Sequence, residues 1–236
     1  IPRHSPRPGS LSRKIGNAVT SRSRALAYAI VSRIWSDVAL QPGTDPRTAP
    51  SADVAQFWSG ENDGLWNGLA LGSQAYRYAV TRSPQALENM RVLLEGERLR
   101  MRITGVSGLF TRQLIPPGVP GIACPEDPAV YVPSPDKRGN KSVRIGDDGC
   151  AQVADGTTLT FSSTTHCGLD EFVGWCFLDN VSQDEYVGHM FGLTAVARLV
   201  DDPTVRDAAI GLLREIGEHV VAHDMEFEDW DGRPTQ

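Results

Sequence analysis

Apolar residues recur at helical spacing in several stretches of this chain. In residues 17–40 they fall at Ala27, Ile30, Val31, Ile34, Trp35 and Val38, which predicts a helix. Pro42, Gly43, Pro46 and Pro50 then break the chain. A second helix is expected from about Gly64 to Thr81, behind the capping-type residues Asn62 and Asp63. Ser83 and Pro84 open a third, as N-cap and first helical residue. Its spacing turns Met90, Leu93, Leu94 and Met101 inward and leaves Glu88 and Glu95 on the polar face.

The pattern then repeats. Shifting the Gly64–Leu99 hairpin by 120 residues superposes Gly68 on Gly188, Gly72 on Gly192, Ala75 on Ala195, Val80 on Val200, Leu93 on Leu213 and Glu95 on Glu215. Both first helices carry glycines four residues apart: Gly64, Gly68 and Gly72 in one, Gly188 and Gly192 in the other. A glycine costs about 1 kcal/mol against alanine inside a helix, so two such rows imply a close helix–helix approach that returns the loss. The same helices are apolar on several faces, through Leu65, Trp66, Leu69 and Leu71, and through Tyr186, Val187, Met190, Phe191 and Leu193. Such helices are buried, whereas their partners, 84–100 and 203–222, are amphipathic and charged. Inner helix followed by outer helix, repeated, predicts a mainly α fold of the α/α barrel or solenoid kind.

Between the hairpins runs a long excursion, about 104–181. It is rich in Gly and Pro at first, then alternates like short strands around Asp147-Asp148-Gly149 and Asp155-Gly156. The expected organisation is a flexible arm, 1–16, and a single αα-hairpin domain, 17–236, carrying the partly β insertion 104–181.

A formal net charge of −6 gives no basic footprint for nucleic acid or an anionic membrane. No run of about eighteen apolar residues exists to span a bilayer. Cys124, Cys150, Cys167 and Cys176 all lie in the irregular middle of the chain, where two disulfides would tie down a core-poor segment. A zinc site from Cys150, His166, Cys167 and Cys176, or reduced thiols, are the alternatives; the spacing lacks a CxxC knuckle. With the sequons at Asn140 and Asn180, the cysteines suggest an extracellular or periplasmic location. The chain starts at Ile1, as a processed product or a fragment would.

Candidate chemistry gathers where the inner helices begin. One head offers Glu61, Asn62, Asp63 and Trp66; the other offers Asp184, Glu185, Tyr186 and His189. Inner helices of an αα barrel run parallel, so their heads share one mouth. A helix N-terminus lowers a carboxylate pKa and burial raises it. Carboxylates in one pit with unequal surroundings become an acid and a base, as glycoside cleavage requires. The candidate catalytic residues are therefore Asp184, Glu185, Asp63 and His189. Asn62, Trp66, Arg112, Trp175 and Tyr186 are candidates for substrate contact, the aromatics by stacking and Arg112 by pairing with an acidic sugar. Plainer roles compete: Asp63, Ser182 and Asp184 are good N-caps, His189 fits a core, and Trp66 and Tyr186 fit one too. The acidic run Asp224, Glu226, Glu228, Asp229 and Asp231 lacks EF-hand spacing, so structural calcium is a minor alternative to a solvated loop and no cofactor is expected. His219 and His223 read as surface residues.

The stretches ENDGLWNGLALGSQAYRYAVT, RITGVSGLFTRQL and SQDEYVGHMFGLTAVARLVDD resemble the inner helices and mouth loops of bacterial six-hairpin (α/α)-toroid proteins, which include glycoside hydrolases and polysaccharide lyases. The resemblance covers residues 60–115 and 180–235. It implies a carbohydrate-active enzyme, glycoside hydrolysis by paired carboxylates, and an oligo- or polysaccharide partner. A non-catalytic glycan- or protein-binding αα module and a lyase are the alternatives. A full toroid has six hairpins, so further hairpins, of this chain or another, are an expected partner.

Overall fold

In a computed structural model, residues 38–45, 48–49, 53–57, 62–118, 124, 140, 142–152 and 166–235 are described. The fold among them is mainly helical. Two short strands come first, β1 (Val38–Leu40) and β2 (Val54–Phe57), paired antiparallel. A helical hairpin follows, α1 (Asp63–Thr81) and α2 (Pro84–Arg102). Strands β3 (Gln113–Ile115), β4 (Ser142–Arg144) and β5 (Cys176–Leu178) form an antiparallel sheet in the order β3-β5-β4. The second hairpin is α3 (Gln183–Leu199) and α4 (Pro203–Ala222).

The helix expected over 17–40 is corrected at its end: Val38–Leu40 is a strand, and residues 17–37 lie outside the described residues, as does the expected arm at 1–16. The physical reason is local. Gly43 takes φ 85° in the turn after Pro42, and Gln41 N–H donates to Asp53 O at 2.8 Å. That turn folds the chain back on itself and offers β1 an antiparallel partner, which the helical periodicity cannot reveal.

The two hairpins start on equivalent signals. Ser83 accepts from Ala86 N–H at 3.4 Å, and Asp202 accepts from Val205 N–H at 3.0 Å; Pro84 and Pro203 come next, their missing N–H harmless in the first turn. α1 ends where Arg82 enters the left-handed region at φ 53°.

α1 and α3 lie against each other and run parallel. Their order of contact proves it: Gly64 lies beside Glu185 and His189, Gly68 beside Gly188 and Gly192, and Gly72 beside Phe191. At the far end Tyr78 donates to Asp201 at 2.8 Å and Arg82 pairs with Asp201 at 2.7 Å. A side chain at Gly68 would bring its Cβ within 2.0 Å of the Gly188 carbonyl oxygen, and one at Gly192 within 2.3 Å of the Gly68 oxygen. The glycine rows therefore set how close the two backbones come. α2 and α4 cover the pair with Met90, Leu93 and Leu94, and with Val205, Ala209, Leu212 and Ile216.

The sheet extends the same core through Leu114, Val143 and Phe177. All four cysteines are paired, Cys124 with Cys176 and Cys150 with Cys167. Sulfurs joined in this way offer no thiolate to zinc. Two disulfides agree with an extracellular setting, and none of the described helices is long and apolar enough to cross a membrane. After α4 the chain doubles back: Phe227 stacks on Tyr186 with ring centroids 3.4 Å apart, and the Trp230 indole N–H donates to Asp179 at 3.2 Å.

Candidate functional site

Parallel packing brings the heads of α1 and α3 together, and with them most of the residues singled out above. Asp63 opens α1 and is buried, and the Gln113 amide donates to its Oδ2 at 3.3 Å. Asn62 is the N-cap of α1, and its carbonyl accepts Trp66 N–H at 3.2 Å. Trp66 stands one turn in and is 48% exposed. Asp184 is exposed in the first turn of α3 and accepts a short hydrogen bond from the Ser182 hydroxyl.

Glu185 is different: its accessible surface is 0%. It occupies the third position of α3 in a capping box with Ser182, whose N–H lies 3.4 Å from Oε2. Arg112 Nη1 lies 3.4 Å from the same oxygen. Burial pushes the Glu185 carboxyl above its usual pKa, against the opposing pull of His189, Arg112 and Arg100.

His189, also at 0% exposure, follows one turn later. Its Nδ1 lies 2.6 Å from Glu97 Oε2, near enough for an ion pair but without the alignment of a straight hydrogen bond. Asn67 donates to the other Glu97 oxygen at 2.6 Å. Phe110 stacks on the His189 ring at a centroid distance of 4.2 Å, and Tyr186 meets it edge-on.

Arg112 is buried; its Nε donates to Asn180 O at 2.7 Å, and its carbonyl accepts from Arg100 Nη1 at 2.8 Å. Tyr186 lies in the interior, its hydroxyl donating to Gly108 O at 3.1 Å and accepting Phe110 N–H at 3.3 Å. Burial drives the Tyr186 pKa upward. Trp175 sits away from the heads, packed edge-on against Phe172 at 5.5 Å. Thus Asp63, Asp184, Glu185, His189, Asn62, Trp66 and Arg112 gather at one end, and Trp175 does not join them.

Three members of this cluster escape a reading of the sequence: Glu97, Asn67 and Arg100, all fully buried. A signal for Glu97 exists, since Met90, Leu93, Leu94, Glu97 and Met101 share the inward spacing of α2. A carboxylate on an apolar stripe needs a buried partner, and His189 is that partner. Buried atoms without a hydrogen bond concentrate in the same place: Asn67 Oδ1, Glu97 Oε2, Arg100 Nε and Nη2, Glu185 Oε1 and both ring nitrogens of His189.

The C-terminal acidic run is a folded turn. Asp229 accepts from Asn180 N–H at 2.7 Å and from Trp230 N–H at 2.8 Å, and Asp231 pairs with Arg233. Among the described residues no group of three or more His, Cys, Asp or Glu side chains is arranged to hold a metal ion. His219, expected at the surface, is buried: its Nε2 accepts Glu228 N–H at 3.2 Å, and burial lowers its pKa, with His223 adding to the effect.

Comparison with known proteins returns no match: no family model fits the sequence, and neither a curated protein nor a solved structure matches it.

Proposed function

We propose that the chain is a carbohydrate-active protein of the α/α-toroid type that hydrolyses glycosidic bonds at the shared head of α1 and α3. One observation carries this reading: carboxylates in opposite surroundings sit together there, Asp184 facing solvent and Glu185 buried with a raised pKa. That contrast is what splits paired carboxylates into a base and an acid. Glu185 delivers its proton to the glycosidic oxygen as the bond to the anomeric carbon breaks. Asp184, aided by Asp63, takes a proton from the water that adds to that carbon. The Glu185 oxygen Oε2 is held by the Ser182 N–H at 3.4 Å, the Ser182 hydroxyl at 3.5 Å and Arg112 at 3.4 Å, so opening the Ser182 cap removes two of its three contacts. Trp66, half-exposed beside the heads, supplies a face on which a sugar ring stacks. His189 positions Glu185, and Arg112 holds the carboxyl from the β3 side.

A second reading is favoured by the burial of Glu185, His189 and Asp63: a non-catalytic glycan-binding module in which these residues only brace the heads. Incubation with a panel of polysaccharides, followed by mass analysis of the products, separates the two. Hydrolysis predicts products heavier by one water per bond cut. It also predicts loss of about a hundredfold or more in rate for Glu185→Gln and Asp184→Asn, the usual scale of general acid–base assistance, with melting temperatures retained. Binding without products supports the module, and products bearing a new ultraviolet-absorbing double bond indicate a lyase.

A further inference from the structure

The buried residues behind the two heads form a line of which the hydrolysis reading uses only the Glu185 and His189 end. Glu97 comes from α2, His189 and Glu185 from α3, and all three are closed to solvent. Asn67 Nδ2 fixes Glu97 by its Oε1, leaving Oε2 to face His189 Nδ1 at 2.6 Å. Phe110 clamps the imidazole plane from one side. On the opposite edge of the ring, the place a Gly64 Cβ would occupy lies 2.5 Å from His189 Nε2 and 3.0 Å from Glu185 Oε1. Both atoms therefore crowd one spot, which only a residue without a side chain at position 64 leaves to them. Neither atom has a hydrogen-bonding partner.

We propose that Glu97 holds His189 in the tautomer protonated at Nδ1, so that Nε2 faces Glu185 and the three side chains form a buried proton relay. Glu97 is a positioning residue in it. The groups around the relay are Asp63 on α1, Glu97 and Arg100 on α2, Arg112 beside β3, and Glu185 and Tyr186 on α3. The formal charges of Asp63 and Glu97 match those of Arg100 and Arg112. One further proton thus serves the Glu185–His189 pair without a net buried charge. It sits on Glu185 Oε1, or it passes to Nε2: the O–H bond breaks, an N–H bond forms, and a carboxylate and an imidazolium replace two neutral groups. The total charge is the same in both states, so the transfer avoids the penalty of burying a new net charge. This role rests on the hydrolysis reading, in which the pair stores the one proton that Glu185 delivers; Asp184 passes the proton it takes from water to solvent, and solvent restores the Glu185 proton after turnover.

Ring-nitrogen NMR on the full chain labelled with ¹⁵N-histidine tests the proposal without substrate. His189 is assigned through its contacts with Phe110 and Tyr186. At about pH 8, above the ordinary histidine range, wild type is expected to show Nδ1 protonated and Nε2 bare. Glu97→Gln is expected to weaken the preference for Nδ1–H about tenfold or more, as loss of the carboxylate charge facing Nδ1 implies, and Glu97→Asp to restore most of it. Glu185→Gln keeps the Nδ1–H tautomer. A wild-type ring protonated at Nε2 and bare at Nδ1, or tautomer populations unchanged by Glu97→Gln, overturns the relay. Should Glu97→Gln fail to fold, the wild-type tautomer alone decides. Absence of glycan cleavage overturns the hydrolase reading and leaves the tautomer result standing, so the two failures are distinguishable.

Discussion

Glu185 shows how one residue serves both fold and chemistry. As the reciprocal partner of Ser182 it closes the first turn of α3, and as a buried acid it resists ionisation. The sign of its pH effect follows. Its folded pKa lies above the ordinary glutamate value of about 4.3, so over the window rising from that value the native state holds a proton that the unfolded chain has lost. Native stability therefore falls as pH rises through that window. Glu185→Gln carries no such proton, and chemical denaturation at several pH values is expected to show wild type losing stability relative to the variant as pH rises. A constant difference would mean that Glu185 is ionised in the fold. The sequence displays Asp184, Glu185 and His189 plainly, because acids at a helix head stand out. Glu97 and Arg100 do not stand out, because α2 is amphipathic and its charges read as a solvated face, and Asn67 is a lone amide on α1. Only the spacing from Met90 to Met101 marks Glu97 as inward.

At the scale of elements, glycine has two meanings. Gly68 and Gly192 sit where α1 and α3 touch backbone to backbone, whereas a Cβ at Gly211 or Gly217 of α4 would meet nothing within 4 Å. Gly68→Ala is expected to cost about 2 kcal/mol or more, as overpacking against an immovable carbonyl does. At this chain length that lowers the melting temperature by roughly 4–8 °C. Gly211→Ala is expected to stabilise by about 0.5–1 kcal/mol, since alanine loses less conformational freedom in a helix. Equal effects at the two positions would contradict the interlocked-glycine account. The periodicity of the chain reveals α1 to α4, but the all-round burial expected of α1 and α3 is not found: Trp66, Leu69, Val187, Met190 and Phe191 are exposed, and each helix buries one face. The same periodicity misleads at Val38–Leu40, where a turn and a distant partner strand outweigh the local preference.

At the scale of the whole molecule, the excursion between the hairpins is anchored by what the sequence shows only as isolated letters. The Cys150–Cys167 link closes a span of 17 residues, and its removal by Cys150→Ala with Cys167→Ala is expected to cost about 3 kcal/mol on loop-closure grounds. Denaturant melts of the double variant measure it directly. The return of the chain after α4, with Phe227 stacked on Tyr186 and Asp229 bound to Asn180, is a long-range arrangement that no spacing rule foretells. It packs Tyr186 into the interior and braces the turn that feeds α3. The central claim is that a glycan meets this molecule at the common head of α1 and α3. Amide NMR shift mapping with a panel of soluble oligosaccharides tests it most directly. The account predicts perturbations confined to Asn62–Trp66, Arg112–Gln113 and Asp184–Tyr186; shifts along Tyr76, Val187 and Phe191 instead, or no shifts with any sugar, would contradict it.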